Sequence, residues 1–474
     1  MMMNLKRLVQ QIPLQQRLKT WFEIRSLRKG AFYVIYTIKS NISNLNLINF
    51  MNRTKEKRTI QRMINSLFKL QAFVKINSLD DIKNLDDYLG QELTLSKERT
   101  IFITTDTRKT LRSLTNKLIT YYDFENLITF SELFSILKKV YADYILNNKL
   151  PENLLLEVYD ISKKEIKIFN NISCLDGIKL IGIKQLNCGE YKITPSDLST
   201  FIKAYGKDEN NFYDMMKNYL WIHGNERGSK KQVGQKFDYK ANLITSFLSI
   251  CLQTINKKSI LNYRVQVLNS SSSHKSYNTR LQWEKESESG SFSYSFPKFS
   301  DADINSETLE YFRKNLFFDD FFKILEKELK TEVEDAIIKS AYWFCEATKD
   351  NNDTMKFIKL WSCIECFFSI TEDKLSESNA KGLACILVYG GYRIHNVESY
   401  KEVKSKIKKL YDKRSKALHR AYWSDIESID VMELANWAAW LIISALGLVV
   451  VGNYTNLSQI KEQIVRLDNI HKEI

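Results

Sequence analysis

Proline and glycine are scarce, with 4 and 15 residues in a chain of 474. A chain built of short strands needs tight turns every few residues, and tight turns draw on those two residue types. Their scarcity argues against an all-β protein and for long helices. Cysteine occurs seven times, an odd number scattered through the whole length, which excludes a disulfide framework and fits a reducing cytoplasm. Cys363 and Cys366 form a C-x-x-C, but inside an apolar, aromatic helical run with no second Cys/His pair nearby, so they read as small core thiols. Histidine occurs five times. His274 lies in a serine-rich loop, His395 in a polar turn and His471 near the end of the chain, none with a carboxylate or cysteine cluster at ligand spacing. No metal site and no cofactor are expected.

Long uncharged runs are also rare. The first residues carry Lys6, Arg7, Arg17 and Lys19 without a continuous apolar stretch, so no secretory signal is read there. Leu434–Tyr454 runs without a charge and is long enough to cross a bilayer. Asn436, Ser444, two glycines and four alanines dilute it, and a helix buried on all sides in a bundle is the preferred reading, with a membrane-associated protein as the alternative.

What is present is the balance of a folded soluble protein, 44% hydrophobic and 27% charged, at a length that favours two or three domains. The net charge of +14 is unevenly placed. Residues 1–60 hold twelve Lys/Arg against Glu23 and Glu56, and residues 401–421 hold nine against Glu402 and Asp412. Two basic islands on a nearly neutral body point to a polyanionic partner, because clustered cations attract phosphates and release their counterions.

Hydrophobic periodicity divides the chain into a basic, mostly helical region (1–150), a mixed β/α region (151–304) and an all-helical region (305–474), an α+β architecture overall. "RTIFITTD" reads as a strand and residues 108–148 as helical. Between Pro151 and Ile193, "NLLLEVYDI", "KEIKIF", "GIKLIGIK" and "GEYKI" read as a small antiparallel sheet. "HGNERGSKK" (His223–Lys231) is polar, basic and glycine-containing without the spacing of a P-loop, and reads as a surface loop. From about 305, the spacing predicts helices over 306–327, 331–348, 353–370, 377–391, 398–421, 428–451 and 455–472, joined by short links, hence an antiparallel bundle.

The helix predicted over 398–421 carries the chemistry. Val403, Ile407, Leu410, Tyr411 and Leu418 form its apolar stripe, and lysines cover much of the rest. Arg414 continues the Ile407–Leu410–Tyr411 face, so its guanidinium points toward packed structure and needs a partner there. Glu365, in the apolar "LWSCIECFF" helix, is the expected one. His419 follows five residues later, about 140° round an ideal helix. The two meet on one phosphate only if the helix loosens at its end or a second subunit supplies one of them. An imidazole that exchanges protons near neutral pH and an arginine that offsets phosphoryl charge are the parts needed to cleave RNA through its own 2′-hydroxyl, without a metal. DNA lacks that hydroxyl.

"RSKALH" has the R-x4-H form, and "FIKLWSCIECFFSI", "AKGLACIL" and "IKKLYDKRSKALHRAYW" precede apolar last helices in an order that resembles the Apea-like group of the HEPN superfamily, over about residues 310–474. The resemblance implies a HEPN-type bundle acting as a metal-independent endoribonuclease that pairs as a homodimer. Arg414 and His419 would be its catalytic pair and Glu365 the residue that orients Arg414. Some toxins of that superfamily carry a further His or Tyr two positions after the histidine; here Ala421 stands there and Tyr422 one beyond. Lys404, Lys408, Lys409, Lys413 and Arg420 are expected to contact RNA. The resemblance also implies bacterial anti-phage defence or a regulated toxin; the N-terminal region, large and catalytically bare, is expected to be the sensor or regulator that binds a phage-derived or host trigger. A non-catalytic RNA- or nucleotide-binding module is the competing reading.

Overall fold

The computed structural model describes residues 56–69, 72–75, 92–96, 99–205, 213–214, 216–255, 265–268, 278–283, 290–295, 301–368, 375–420 and 425–470. The chain divides into two compact units, Met1–Glu165 and Ile166–Ile474.

In the first unit, strands β1 (Phe73–Lys75), β2 (Glu92–Ser96) and β3 (Arg99–Ile103) form an antiparallel sheet in the order β1-β3-β2. The helices are α1 (56–67), α2 (Thr105–Tyr121), α3 (Phe130–Leu146) and α4 (Leu154–Glu165). Sequence-encoded caps set two helix starts. Thr104 accepts from the Thr107 amide ahead of α2, and Thr129 forms a reciprocal capping box with Glu132 ahead of α3. "NLLLEVYDI" is the helix α4 and not a strand. Pro151 opens a 3-10 turn before it, and Leu154 and Val158, four apart, are its buried apolar positions.

The second unit combines a curled antiparallel sheet with a set of helices, so the chain is α+β. Strands β4 (Lys167–Asp176), β5 (Ile178–Leu180), β6 (Leu186–Cys188), β7 (Tyr191–Pro195), β8 (Leu220–Gly228) and β9 (Gln266–Val267) surround a short helix α5 (Leu198–Tyr205), and the long helix α6 (Lys230–Ile255) follows β8. The sheet order is β6-β7-β8-β4-β9, antiparallel throughout. Leu175, Ile193, Ile222 and Val267 share a face by register and belong to the same buried cluster as Phe237, Ile244 and Phe247 of α6. β10 (Asn278–Trp283) and β11 (Gly290–Ser295) form a hairpin, and β12 (Ala302–Ile304) pairs in parallel with β5.

"HGNERGSKK" is not a surface loop. Its first six residues complete β8, and Lys230 opens α6. Its low strand propensity is overridden by nine consecutive pairings with β4, and Gly224 is where the Tyr191 ring crosses the strand, at a distance that a Cβ would not allow.

The remaining helices are α7 (Ser306–Asn315), α8 (Phe318–Glu326), α9 (Glu332–Lys349), α10 (Asp353–Phe368), α11 (Leu375–Tyr389), α12 (Tyr400–Arg420), α13 (Ser428–Val450) and α14 (Leu457–Ile470). The single helix expected over 306–327 is two, because Phe317 adopts a left-handed conformation (φ 54°) between them. Its ring rests beside Gly447 of α13, and the break turns Phe318, Phe321 and Phe322 into the core, where Phe321 stacks on Phe247 with ring centroids 3.9 Å apart. α13 is the one described helix long and apolar enough to span a membrane, and 67% of its most apolar stretch is buried in the bundle. Sheet and helices share one hydrophobic cluster running from Leu175 to Ile460.

Candidate functional site

The site is built from α10 and α12. Tyr400, Val403, Ile407, Leu410, Tyr411 and Ala417 form the buried stripe of α12, while Leu418, expected on that stripe, is 47% exposed. Arg414 lies half-buried at its margin, and its Nη2 donates to Glu365 Oε2 at 3.0 Å. The guanidinium also lies 5.5 Å from the Tyr411 ring centroid, and Tyr411 is set edge-on to Trp361 at 5.1 Å. One ring, itself set against Trp361, and one carboxylate therefore hold the arginine from the protein side.

The electrostatics are poised and not saturated. Burial raises the Glu365 carboxyl above its ordinary value, and Arg414 and the Tyr411 hydroxyl pull it back only in part. Burial likewise raises the Tyr411 hydroxyl, with the Glu365 charge adding to it. Arg414 Nε is buried without a hydrogen-bond partner among the described residues. The guanidinium is held at one terminal nitrogen, and its unfilled Nε is sealed from solvent. Tyr411 is the contact of this cluster that sequence reasoning misses. Its periodicity places it on the apolar stripe, and its position three residues before Arg414 is the signal that could have found it.

His419 is exposed and has no hydrogen-bond partner among the described residues. α12 stays helical through Arg420, so no loosening of the helix turns His419 toward Arg414. The chain brings Glu365 and Arg414 together and leaves His419 on a different face of the same helix.

The lysines divide sharply. Lys404 is engaged inside the protein, with its Nζ 3.0 Å from Asp468 Oδ1 and 3.2 Å from Glu377 Oε1. Lys413 pairs with Asp430 at 2.7 Å. Both are therefore engaged by carboxylates of the protein itself. Lys408 is more than half exposed and only loosely paired, 3.7 Å from Glu377, and Lys409 is exposed. The side chain of Arg420 and the residues Tyr422, His274 and His471 lie outside the described residues.

Cys363 is fully buried in α10, and Cys366 donates to the Ser362 carbonyl at 3.1 Å, so both thiols serve the helix packing. Among the described residues no group of three or more His, Cys, Asp or Glu side chains is arranged to hold a metal ion. No family model, curated protein or solved structure matches this chain.

Proposed function

We propose that the chain is a metal-independent endoribonuclease of HEPN type, using Arg414 and His419. The observation that carries this reading is the Arg414 guanidinium, fixed at 3.0 Å by Glu365, five residues before a solvent-facing histidine. In the proposed reaction the His419 imidazole takes the proton of the 2′-hydroxyl, and the freed oxygen attacks the adjacent phosphorus. Arg414 offsets the charge that grows on the non-bridging oxygens. The bond to the 5′-oxygen breaks, and that oxygen leaves with a proton from a second imidazole. The products are a 2′,3′-cyclic phosphate and a 5′-hydroxyl.

Because His419 and Arg414 diverge around one continuous helix, the proposal includes a two-fold homodimer in which the two copies of α12 complete each other's site. Anti-phage defence or a regulated toxin is the proposed setting, with RNA as the partner, the cytoplasm as the location and residues 1–304 as the regulatory part. The competing reading, a module that binds RNA or nucleotides without cutting, is favoured by one observation: no described side chain orients the His419 ring. The test is cleavage of a single-stranded RNA by the purified chain in EDTA. The proposal expects cleavage that is lost in both Arg414→Ala and His419→Ala while binding is retained. RNA binding without cleavage under every condition would establish the module instead.

A further inference from the structure

We infer that an aromatic surface on α6 and α9 is a stacking platform for the bases of single-stranded RNA, continuous with the Arg414 site. The inference deepens the proposed function by naming single-stranded RNA as its substrate class, and it rests on that reading only for the continuity. Three large rings project from two packed helices. Tyr239 of α6 is 45% exposed, Tyr342 of α9 is 39% exposed and Trp343 of α9 is 37% exposed. Soluble surfaces show single exposed apolar residues routinely, but three contiguous rings mark a binding surface. The Tyr239 and Tyr342 centroids are 6.3 Å apart and tilted by 34°, and Tyr342 and Trp343 meet edge to face at 5.8 Å. Neither pair is stacked face to face, so no ring of the three covers another's face. Stacking on such faces is tolerant of sequence, since every base has one.

The packing of neighbouring helices carries the surface to the site. Ser246 of α6 donates to the Ala341 carbonyl at 2.6 Å, which seats α6 against α9. α9 and α10 are antiparallel neighbours, with Ser340 Oγ donating to the Cys363 carbonyl at 3.0 Å and Lys359 Nζ to the Glu346 carbonyl at 3.1 Å. That register sets the outward row of α9, Lys339 with Tyr342 and Trp343, alongside the half-buried row of α10 that contains Ser362, Glu365 and Cys366. Burial pushes the Cys366 thiol up to about 11, with Lys339 lowering it and Glu365 raising it, so the charge from each row reaches the same thiol. Glu365 then holds Arg414. Lys339 is itself paired with Asp335 at 2.6 Å, which leaves the platform near neutrality. It therefore suits bases more than phosphates, and the strand's charge falls to Arg414 and to Lys408 and Lys409.

The experiment measures binding of a fluorescein-labelled oligouridylate by anisotropy, using the full chain in a His419→Ala background so that the readout is independent of cleavage. Trp343→Ala and Tyr239→Ala, on different helices, should each weaken binding about 5- to 150-fold, the equivalent of one lost base stack. The salt dependence should not change, Trp343→Phe should retain affinity, and binding of duplex RNA should be unaffected. Unchanged oligouridylate affinity in both alanine variants would overturn the inference. So would a loss of self-association on sedimentation with RNA affinity intact, which would make the surface a protein interface. A chain that never cuts RNA but loses oligouridylate binding in Trp343→Ala would retain the platform and remove the nuclease. Cleavage that depends on Arg414, with binding indifferent to Trp343, would do the reverse.

Discussion

α12 carries two ion-pair stations three turns apart, and they are built for opposite ends. At the first, Asp468 is buried to 5% exposure and accepts from the Tyr400 hydroxyl at 2.8 Å and Lys404 at 3.0 Å, with Lys381 at 3.2 Å. Burial alone would raise that carboxyl, but these donors overcome it and hold it at about 2. At the second, Glu365 has one strong partner, and burial wins, leaving its carboxyl above the ordinary value. A carboxylate surrounded by donors is a lock. Glu365, met by Arg414 and the Tyr411 hydroxyl, has donors too few to overcome its burial. Each station pairs a carboxylate with a tyrosine hydroxyl and basic side chains, and the number of basic partners separates them.

The largest expected effect falls at the second station. On the proposed reading, Arg414→Ala should lower the single-turnover cleavage rate by about 10²- to 10³-fold, the usual consequence of removing one donor to a developing oxyanion. Thermal unfolding should show the fold intact, because the side chain sits at the margin of the core. A rate within a few-fold of wild type would erase the distinction between the stations. Glu365→Gln should follow with a roughly 10- to 100-fold loss, the worth of a charged hydrogen bond. It should also remove an acid limb of the pH–rate profile, since Glu365 holds Arg414 best when ionised and its raised value brings protonation nearer to neutral pH.

At the first station the effect should be on stability alone. Asp468→Asn should cost about 3 kcal/mol, because it leaves Lys404 and Lys381 without their buried partner, and chemical denaturation would measure it. Cleavage per folded molecule should be unchanged. The pH dependence has a definite sign. Asp468 has a folded value of about 2 against an ordinary 3.8, so between them the unfolded chain binds more protons. Its contribution of about 2 kcal/mol is complete above that window and is lost as the pH falls through it. Glu365 has the opposite sign: its raised carboxyl favours the folded state at low pH, and that share is lost as the pH rises through its folded value. The stability difference between wild type and Asp468→Asn should be full above that window and shrink as the pH falls through it. The smallest effect belongs to Lys408 and Lys409. Neutralising both should reduce the slope of log affinity against log salt by about 0.7 for each phosphate that no longer meets a lysine. The same change at Lys404 should act on stability and leave the slope alone.

The helices after residue 305 were legible to within a few residues at most ends, because local signals mark them: Thr331 with Glu334 forms a capping box, and short polar links separate apolar stripes. Legibility failed where distant residues decide. Phe317 breaks a continuous helical pattern by packing on α13 beside Gly447, 130 residues away in sequence. β8 is a strand through its pairing with β4, in spite of its composition. At the site, Glu365 and Arg414 could be paired from sequence because each is an isolated charge on an apolar helix face, and an isolated charge demands a partner. Lys404 resembles its lysine neighbours in every local respect. Its partner Asp468 lies 64 residues downstream on α14, and no periodicity on α12 points to it.

The measurement closest to the central claim uses an RNA in which one linkage carries a 2′-deoxy sugar, incubated in EDTA with wild type and with His419→Ala. The account predicts cleavage of ordinary linkages to 2′,3′-cyclic phosphate ends by wild type, an intact deoxy linkage, and no cleavage at either by the variant. Cleavage of the deoxy linkage at the ordinary rate, or equal activity in the folded His419→Ala chain, would contradict it.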